Sequence, residues 1–193
     1  MKRVCVFCGS SEGRDPRYRE AAARLGHALV RRGLGLVFGG SGVGLMRVLA
    51  DTVQEQGGSV VGVIPQGLVA REVAHRGLSD LRVVPSMHAR KALMAELSDA
   101  FLALPGGFGT MEELFEGVTW AQLGIHRKPL ALVNVAGYFD SLVLFLDHAV
   151  QEGFVSPTNR KLISVGEGVE EALDCLAAYE APAGPAWITA GES

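Results

Sequence analysis

Three stretches, two of them glycine-rich, carry most of the residues with chemical potential in this chain. The sharpest is Pro105-Gly106-Gly107-Phe108-Gly109-Thr110-Met111-Glu112-Glu113. Its glycines let the backbone approach another group closely. A helix predicted to begin at Thr110 adds free N–H groups and a positive dipole end, a setting for phosphate, with the Thr110 hydroxyl as a further donor. Glu113 then lies one turn into that helix. The same residues also spell a capping box, Thr110-x-x-Glu113, which needs no ligand, although capping leaves Gly106, Gly107 and Gly109 unexplained.

The second stretch is Ser86-Met87-His88-Ala89-Arg90-Lys91-Ala92-Leu93-Met94. Arg90 is three residues from Met87 and four from Met94, so it sits on or beside their apolar stripe. A guanidinium there needs an anionic partner. An ordinary salt bridge or snorkelling would satisfy it; the sharper reading pairs it with Glu113 and an anionic ligand. The third stretch, Gly39-Gly40-Ser41-Gly42-Val43-Gly44, passes from strand to helix, either as a tight turn or as a phosphate-accepting loop. Its GxGxG spacing is not the dinucleotide GxGxxG, and no acidic residue ends the following strand, Val60–Pro65. No GxxxxGK[ST] occurs, so NAD and ATP are weakly supported. Gly9-Ser10-Ser11 is a fourth, smaller loop of the same kind.

Other candidates are weaker. Cys5 and Cys8 have CxxC spacing on a strand with no second ligand pair, and read as core residues. His27, His75, His88, His126 and His148 show no metal spacing. Lys2, Lys91, Lys128 and Lys161 offer no setting for a Schiff base. Neither a metal nor a cofactor is expected.

The elements that must position these loops alternate along the chain. Strands are predicted at Arg3–Cys8, Leu34–Phe38, Ser59–Ile64, Leu81–Val84, Ala100–Leu104, Leu130–Val135 and Leu162–Val165. Helices are predicted at Arg17–Arg32, from Gly44 to Gln56, and at Met87–Leu97, Thr110–Leu123, Tyr138–Glu152 and Val169–Tyr179. Apolar strands alternating with amphipathic helices predict a mostly parallel sheet covered on both faces, with the ligand beyond the strand carboxyl ends near a switch point. Residues 1–180 read as one α/β domain and 181–193 as a loose tail containing Pro182, Gly184 and Pro185.

Composition narrows the function classes. The 193 residues are 48% hydrophobic and 20% charged, with a net charge of −3, which argues against disorder. Lys and Arg number 18 against 21 Asp and Glu, with no basic run, which argues against a nucleic-acid binder. Three cysteines cannot all pair within one chain, so a secreted disulfide framework is not expected. No apolar stretch approaches the roughly 18–20 residues of a membrane span, and no cleavage signal follows Met1. A cytoplasmic protein is expected. The 25 glycines are nearly twice the usual share of about 7%, and they concentrate in the loops above.

PGGFGTMEE, with MHARKALM before it, resembles the LOG (Lonely Guy) family of cytokinin riboside 5′-monophosphate phosphoribohydrolases. Every fixed position of the family signature PGGxGTxxE matches. The likeness runs from Val4–Ser11 through Val43–Met46 to Thr119–Gly124 and Glu152–Phe154. It implies a Rossmann-like doubly wound parallel sheet. It also implies hydrolysis of the N-glycosidic bond of a nucleoside 5′-monophosphate, releasing an N6-substituted adenine and ribose 5-phosphate. Arg90 and Glu113 take the places of the family's essential arginine and glutamate. Ser10, Gly39, Gly40, Gly44, Met46, Met87, Lys91, Pro105, Gly106, Gly107, Gly109 and Thr110 map, with them, onto the substrate site. The resemblance implies homo-oligomers, most simply dimers, with no nucleic acid or membrane partner.

Two positions depart from the pattern: Arg47, where many members have glycine, and Ser41-Gly42, where many have the reverse order. Arg47 is expected to narrow the base pocket or to add a phosphate contact. Some members carry a lysine decarboxylase label, which nothing resembling a pyridoxal phosphate site supports here. The rival reading is a non-catalytic nucleotide or molybdenum-cofactor carrier on the same fold. Such a carrier has no need of the Arg90 and Glu113 pair.

Overall fold

Short runs of Val, Leu, Ile, Ala and Phe form the strands, because side chains buried on both faces favour continuous apolar sequence over alternation. The computed structural model describes residues 1–69 and 73–182. Its strands are β1 (Arg3–Phe7), β2 (Gly35–Phe38), β3 (Val60–Pro65), β4 (Leu81–Val84), β5 (Ala100–Ala103), β6 (Leu130–Val133) and β7 (Ile163–Gly166). They form one parallel sheet in the order β4-β3-β2-β1-β5-β6-β7. The central strands are almost wholly buried, whereas β4 and β7, at the edges, are partly open. β1 pairs with both neighbours, Val4 opposite Leu36 of β2 and Ala100 of β5.

The helices are α1 (Pro16–Arg31), α2 (Gly44–Glu55), α3 (Gln66–Val69), α4 (Met87–Glu96), α5 (Phe108–Leu123), α6 (Asp140–Gln151), α7 (Pro157–Arg160) and α8 (Val169–Ala178). Alternate β1 side chains point to opposite faces, and the helices divide with them. Val4 and Val6 pack with residues of α1, α2 and α8, while Cys5 and Phe7 pack with residues of α4, α5 and α6. The side chain of Asp15 caps α1 by accepting from the Arg17 N–H, and Pro16 opens its first turn. Ser86 caps α4 through the Ala89 N–H at 3.1 Å.

This is the doubly wound α/β arrangement that the alternation predicts. The short helices α3 and α7 arise where the sequence shows no periodic signal, since four residues are too few to display one. The expected tail falls, from residue 183 onward, outside the described residues.

The chain runs outward from β1 to β4 and then returns to place β5 beside β1. The switch point therefore lies between the carboxyl ends of β1 and β5. There the Leu104 N–H donates to the Phe7 carbonyl at 2.9 Å and the Gly9 N–H to the Pro105 carbonyl at 3.1 Å. The Leu45 N–H in turn donates to the Gly9 carbonyl at 3.0 Å, tying the first turn of α2 to the β1 loop.

Candidate active site

Helix α5 starts two residues earlier than the sequence predicts, at Phe108, with Gly107 as its N-cap. Thr110 is thus inside the first turn rather than the cap. The Glu113 carboxylate faces Arg90 of α4 instead of returning to the helix start, so the two residues do not form a capping box. A glycine N-cap has no side chain to satisfy the first-turn N–H groups, which stay available to an anion together with the positive dipole end.

Arg90 Nη2 lies 3.0 Å from Glu113 Oε1, with each side chain 10% exposed. A buried ion pair of this kind costs desolvation on both sides, so its presence is not explained by stability alone. The guanidinium is also under-used. Among the described residues its Nη1 reaches only the Met87 sulfur, at 3.8 Å, and its buried Nε has no hydrogen-bond partner. A buried donor left without an acceptor fits a site that receives one from a ligand.

Burial pushes the Glu113 carboxyl up to about 7. Arg90 pulls it down, Glu112 pushes it up, and Lys91 and Glu116 add smaller opposing effects. Cys8, beside it, is an inert thiol, raised well above its ordinary value by burial and by the Glu113 charge.

The pair opens into a cavity of about 360 Å³. Ser10, Gly39, Met46, Met87, Arg90, Gly107, Gly109, Thr110 and Glu113 all line it, each expected from the sequence. A second cavity, of about 280 Å³, adjoins across Ser10 and Gly107 and takes in Pro105 and Gly106. Gly40, Gly44 and Lys91 line neither. Gly40 has a φ of +68° and packs on Ile64 and Leu81, and the Lys91 ammonium is bound by Glu112 and, at 2.9 Å, by Glu116. Burial opposes the Lys91 charge, but those two hydrogen bonds outweigh it and hold the amine above its ordinary value.

The glycines serve two different ends. A Cβ on Gly39 would fall 1.9 Å from Arg90 Nη2, and one on Gly106 would fall 2.1 Å from Thr110 Oγ1. Gly44, at φ +59°, has the Ser10 backbone carbon 2.3 Å from where its Cβ would be. These three are glycine because the protein's own atoms occupy the space. A Cβ on Gly107 or Gly109 would meet nothing within 4 Å among the described residues, and these two leave room for a ligand.

Arg47 does not enter either cavity. It is half exposed and turns toward Glu12, 4.0 Å away. Ser41 lines the main cavity and donates to the Val73 carbonyl at 3.1 Å.

Sequence reasoning missed Tyr138, which lies just beyond β6. Its hydroxyl donates to the Gly106 carbonyl at 2.5 Å while its ring meets Tyr18 edge-on. An aromatic residue after a strand end was the available signal. Tyr138→Phe removes that one hydrogen bond, so a loss of about 1 kcal/mol and a Tm drop of about 2–4 °C are expected by calorimetry. Val43, Leu68, Val73 and Phe108 complete the apolar wall of the main cavity.

A family profile described as "Possible lysine decarboxylase" matches residues 46–176. A cytokinin riboside 5′-monophosphate phosphoribohydrolase of Arabidopsis thaliana is 52% identical over 180 residues, 93% of this chain and 83% of that protein. The chain belongs to the LOG family. A "probable cytokinin riboside 5′-monophosphate phosphoribohydrolase" of Oryza sativa subsp. japonica is 54% identical over 94% of this chain and 74% of its own. The LOG fold extends to more distant proteins. The molybdenum cofactor binding protein of Rippkaea orientalis matches with a TM-score of 0.70 at 18% identity, over 92% of this chain and 97% of that one. At that identity the likeness concerns fold alone.

The decarboxylase description of the LOG profile finds no support in the site. No lysine lines the main cavity, and Lys91 is held protonated between two carboxylates.

Proposed function

We propose that this LOG chain hydrolyses the N-glycosidic bond of adenosine 5′-monophosphates, including N6-substituted ones, to free base and ribose 5-phosphate. The observation that carries the reading is the buried Arg90–Glu113 pair, 3.0 Å apart, beside the uncapped start of α5 in one cavity. The names of relatives about half identical to the chain support the same reaction.

In this reading the 5′-phosphate binds the N–H groups at the start of α5, with the Ser10 and Thr110 hydroxyls as further donors. As the C1′–N bond breaks, its electron pair leaves with the base, which takes up a proton, and the ribose gains oxocarbenium character. The Glu113 carboxylate stabilises that positive charge and takes a proton from the water that attacks C1′. Arg90 keeps Glu113 ionised, and its unpaired Nε hydrogen-bonds the substrate.

Base release therefore follows the ionised fraction of Glu113. Activity should rise with pH through about 7 and level off above it. Two pH units below that midpoint, only about a hundredth of the plateau is expected. A kcat/KM profile from pH 5 to 9 checks this, and a flat profile would remove Glu113 from the reacting position.

A carrier that binds without cleaving has no use for a carboxylate that costs desolvation at its ligand. The direct test incubates the protein with AMP and with N6-isopentenyl-AMP and follows free base by chromatography. Release of adenine or isopentenyladenine supports the hydrolase, and the rate ratio sets the preferred base. Binding of both, seen as a raised Tm, with no base released from either, would turn the reading to a carrier.

The working form in this reading is a homodimer in the cytoplasm. Leu144 and Phe145 of α6 and Phe154 just beyond it are 69%, 62% and 88% exposed, a large apolar surface for a chain standing alone. Phe145→Glu should convert a dimer to a monomer by sedimentation. A wild-type monomer at micromolar concentration would sink the idea.

A further inference from the structure

We infer that Lys91 is a positioning residue. It holds the Glu112 and Glu116 carboxylates in check beside Glu113 and does not touch the nucleotide. The inference rests on the reading of Glu113 as the reacting carboxylate. Consecutive residues of α4 divide the work. Arg90 goes to Glu113 in the main cavity, while Lys91 goes to Glu112 and Glu116.

Lys91 is buried, its side chain only 9% exposed, yet it lies outside the cavity lining. It borders instead a void of about 10 Å³ behind the carboxylate, shared with Glu113, Glu116, Phe7, Phe101 and Trp120. Lys91 and Glu113 thus share a wall with these aromatic residues outside the main cavity, and Lys91 reaches the cavity only through Glu112, which lines it.

The arrangement answers a problem set by the sequence of α5. Glu112, Glu113 and Glu116 put three carboxylates on little more than one helical turn, at spacings where like charges repel. Each neighbour that ionises makes Glu113 harder to ionise. Among the described residues, Arg90 and Lys91 from α4 supply the two positive charges that face this group. From β1 and the residue after it the facing groups are the Cys5 and Cys8 thiols, which burial keeps neutral. With Lys91 removed, Arg90 alone offsets Glu112 and Glu116 at Glu113, and those two carboxylates lose the ammonium that holds them.

The test compares wild type with Lys91→Met, Lys91→Arg and the triple variant K91M/E112Q/E116Q. Each is titrated by NMR of 13C-labelled glutamate carboxyls, with Glu113→Gln giving the assignment, and each is assayed with AMP from pH 5 to 9. In Lys91→Met the Glu113 midpoint should rise by about one unit. kcat should then fall about tenfold at pH 6 and recover toward pH 9, with KM for AMP within about twofold. Lys91→Arg should behave as wild type, and the triple variant should bring the midpoint back down.

A KM for AMP raised about tenfold or more with an unmoved midpoint would make Lys91 a substrate contact and overturn the inference. So would an equal loss at every pH that the triple variant does not repair, or an unchanged Lys91→Met. If Lys91→Met does not fold, the triple variant and Lys91→Arg carry the comparison. If wild type releases no base, the proposed reaction fails, while the NMR midpoints still decide whether Lys91 governs Glu113.

Discussion

Glu113→Gln should lower base release from AMP about 10³-fold while leaving AMP affinity within a few fold. Glutamine keeps the size and shape of the side chain and can still accept from Arg90, so the cavity walls stay in place. What it loses is the negative charge that faces C1′ as positive charge develops there, and the capacity to take a proton from water. An interaction made mainly in the transition state shows in kcat rather than in KM. Single-turnover base release and a thermal shift with AMP check the two halves together. A variant that keeps a tenth of the wild-type rate would place the reacting group elsewhere.

Gly39→Ala should cost about 10²-fold in activity with only a small change in Tm. The added methyl would lie 1.9 Å from Arg90 Nη2 and 2.9 Å from its Cζ, so the guanidinium must move. The obstructing atoms are the far end of a flexible side chain, so the fold can yield at modest cost. The Glu113 pairing cannot be kept in place at the same time. A displacement of about 1 Å at a reacting group is enough for a loss of that size. Full activity in Gly39→Ala would mean that the observed Arg90 position is not the one used in the reaction.

Much of this architecture was legible in the chain because parallel strands buried on both faces announce themselves as apolar runs. The strands at Val60–Pro65 and Ala100–Ala103 follow directly from such runs, and the helices around Leu25, Leu49 and Leu173 from apolar residues at helical spacing. The pairing of Arg90 with Glu113 was legible too, since a guanidinium beside an apolar stripe needs a counter-charge.

The start of α5 was less so. Thr110 has the chemistry of a cap, but Gly107 can take the extended backbone required, and the helix gains two residues by starting there. Nor does sequence say why a glycine is a glycine. Gly39 and Gly109 look alike in the chain, yet one makes room for Arg90 and the other faces open space. Lys91 and Arg47 show the same limit. A long charged side chain goes to whichever partner the fold brings nearest, and here the partners are carboxylates of α5 and of the β1 loop.

The contacts of Gly39, Gly44 and Gly106 also decide how the protein can be redesigned. At and around the cavity these three glycines press on backbone, on Thr110 or on the ion pair, where any side chain collides with something that cannot be spared. The apolar wall is interchangeable. Val43, Met46, Leu68, Val73 and Phe108 line the space with side chains that the loop geometry does not depend on, and Phe108 is 96% exposed at its edge. A combinatorial library confined to those five positions would explore which bases are accepted while the reacting groups stay in register. One spread across the glycines would mostly sample misassembled loops.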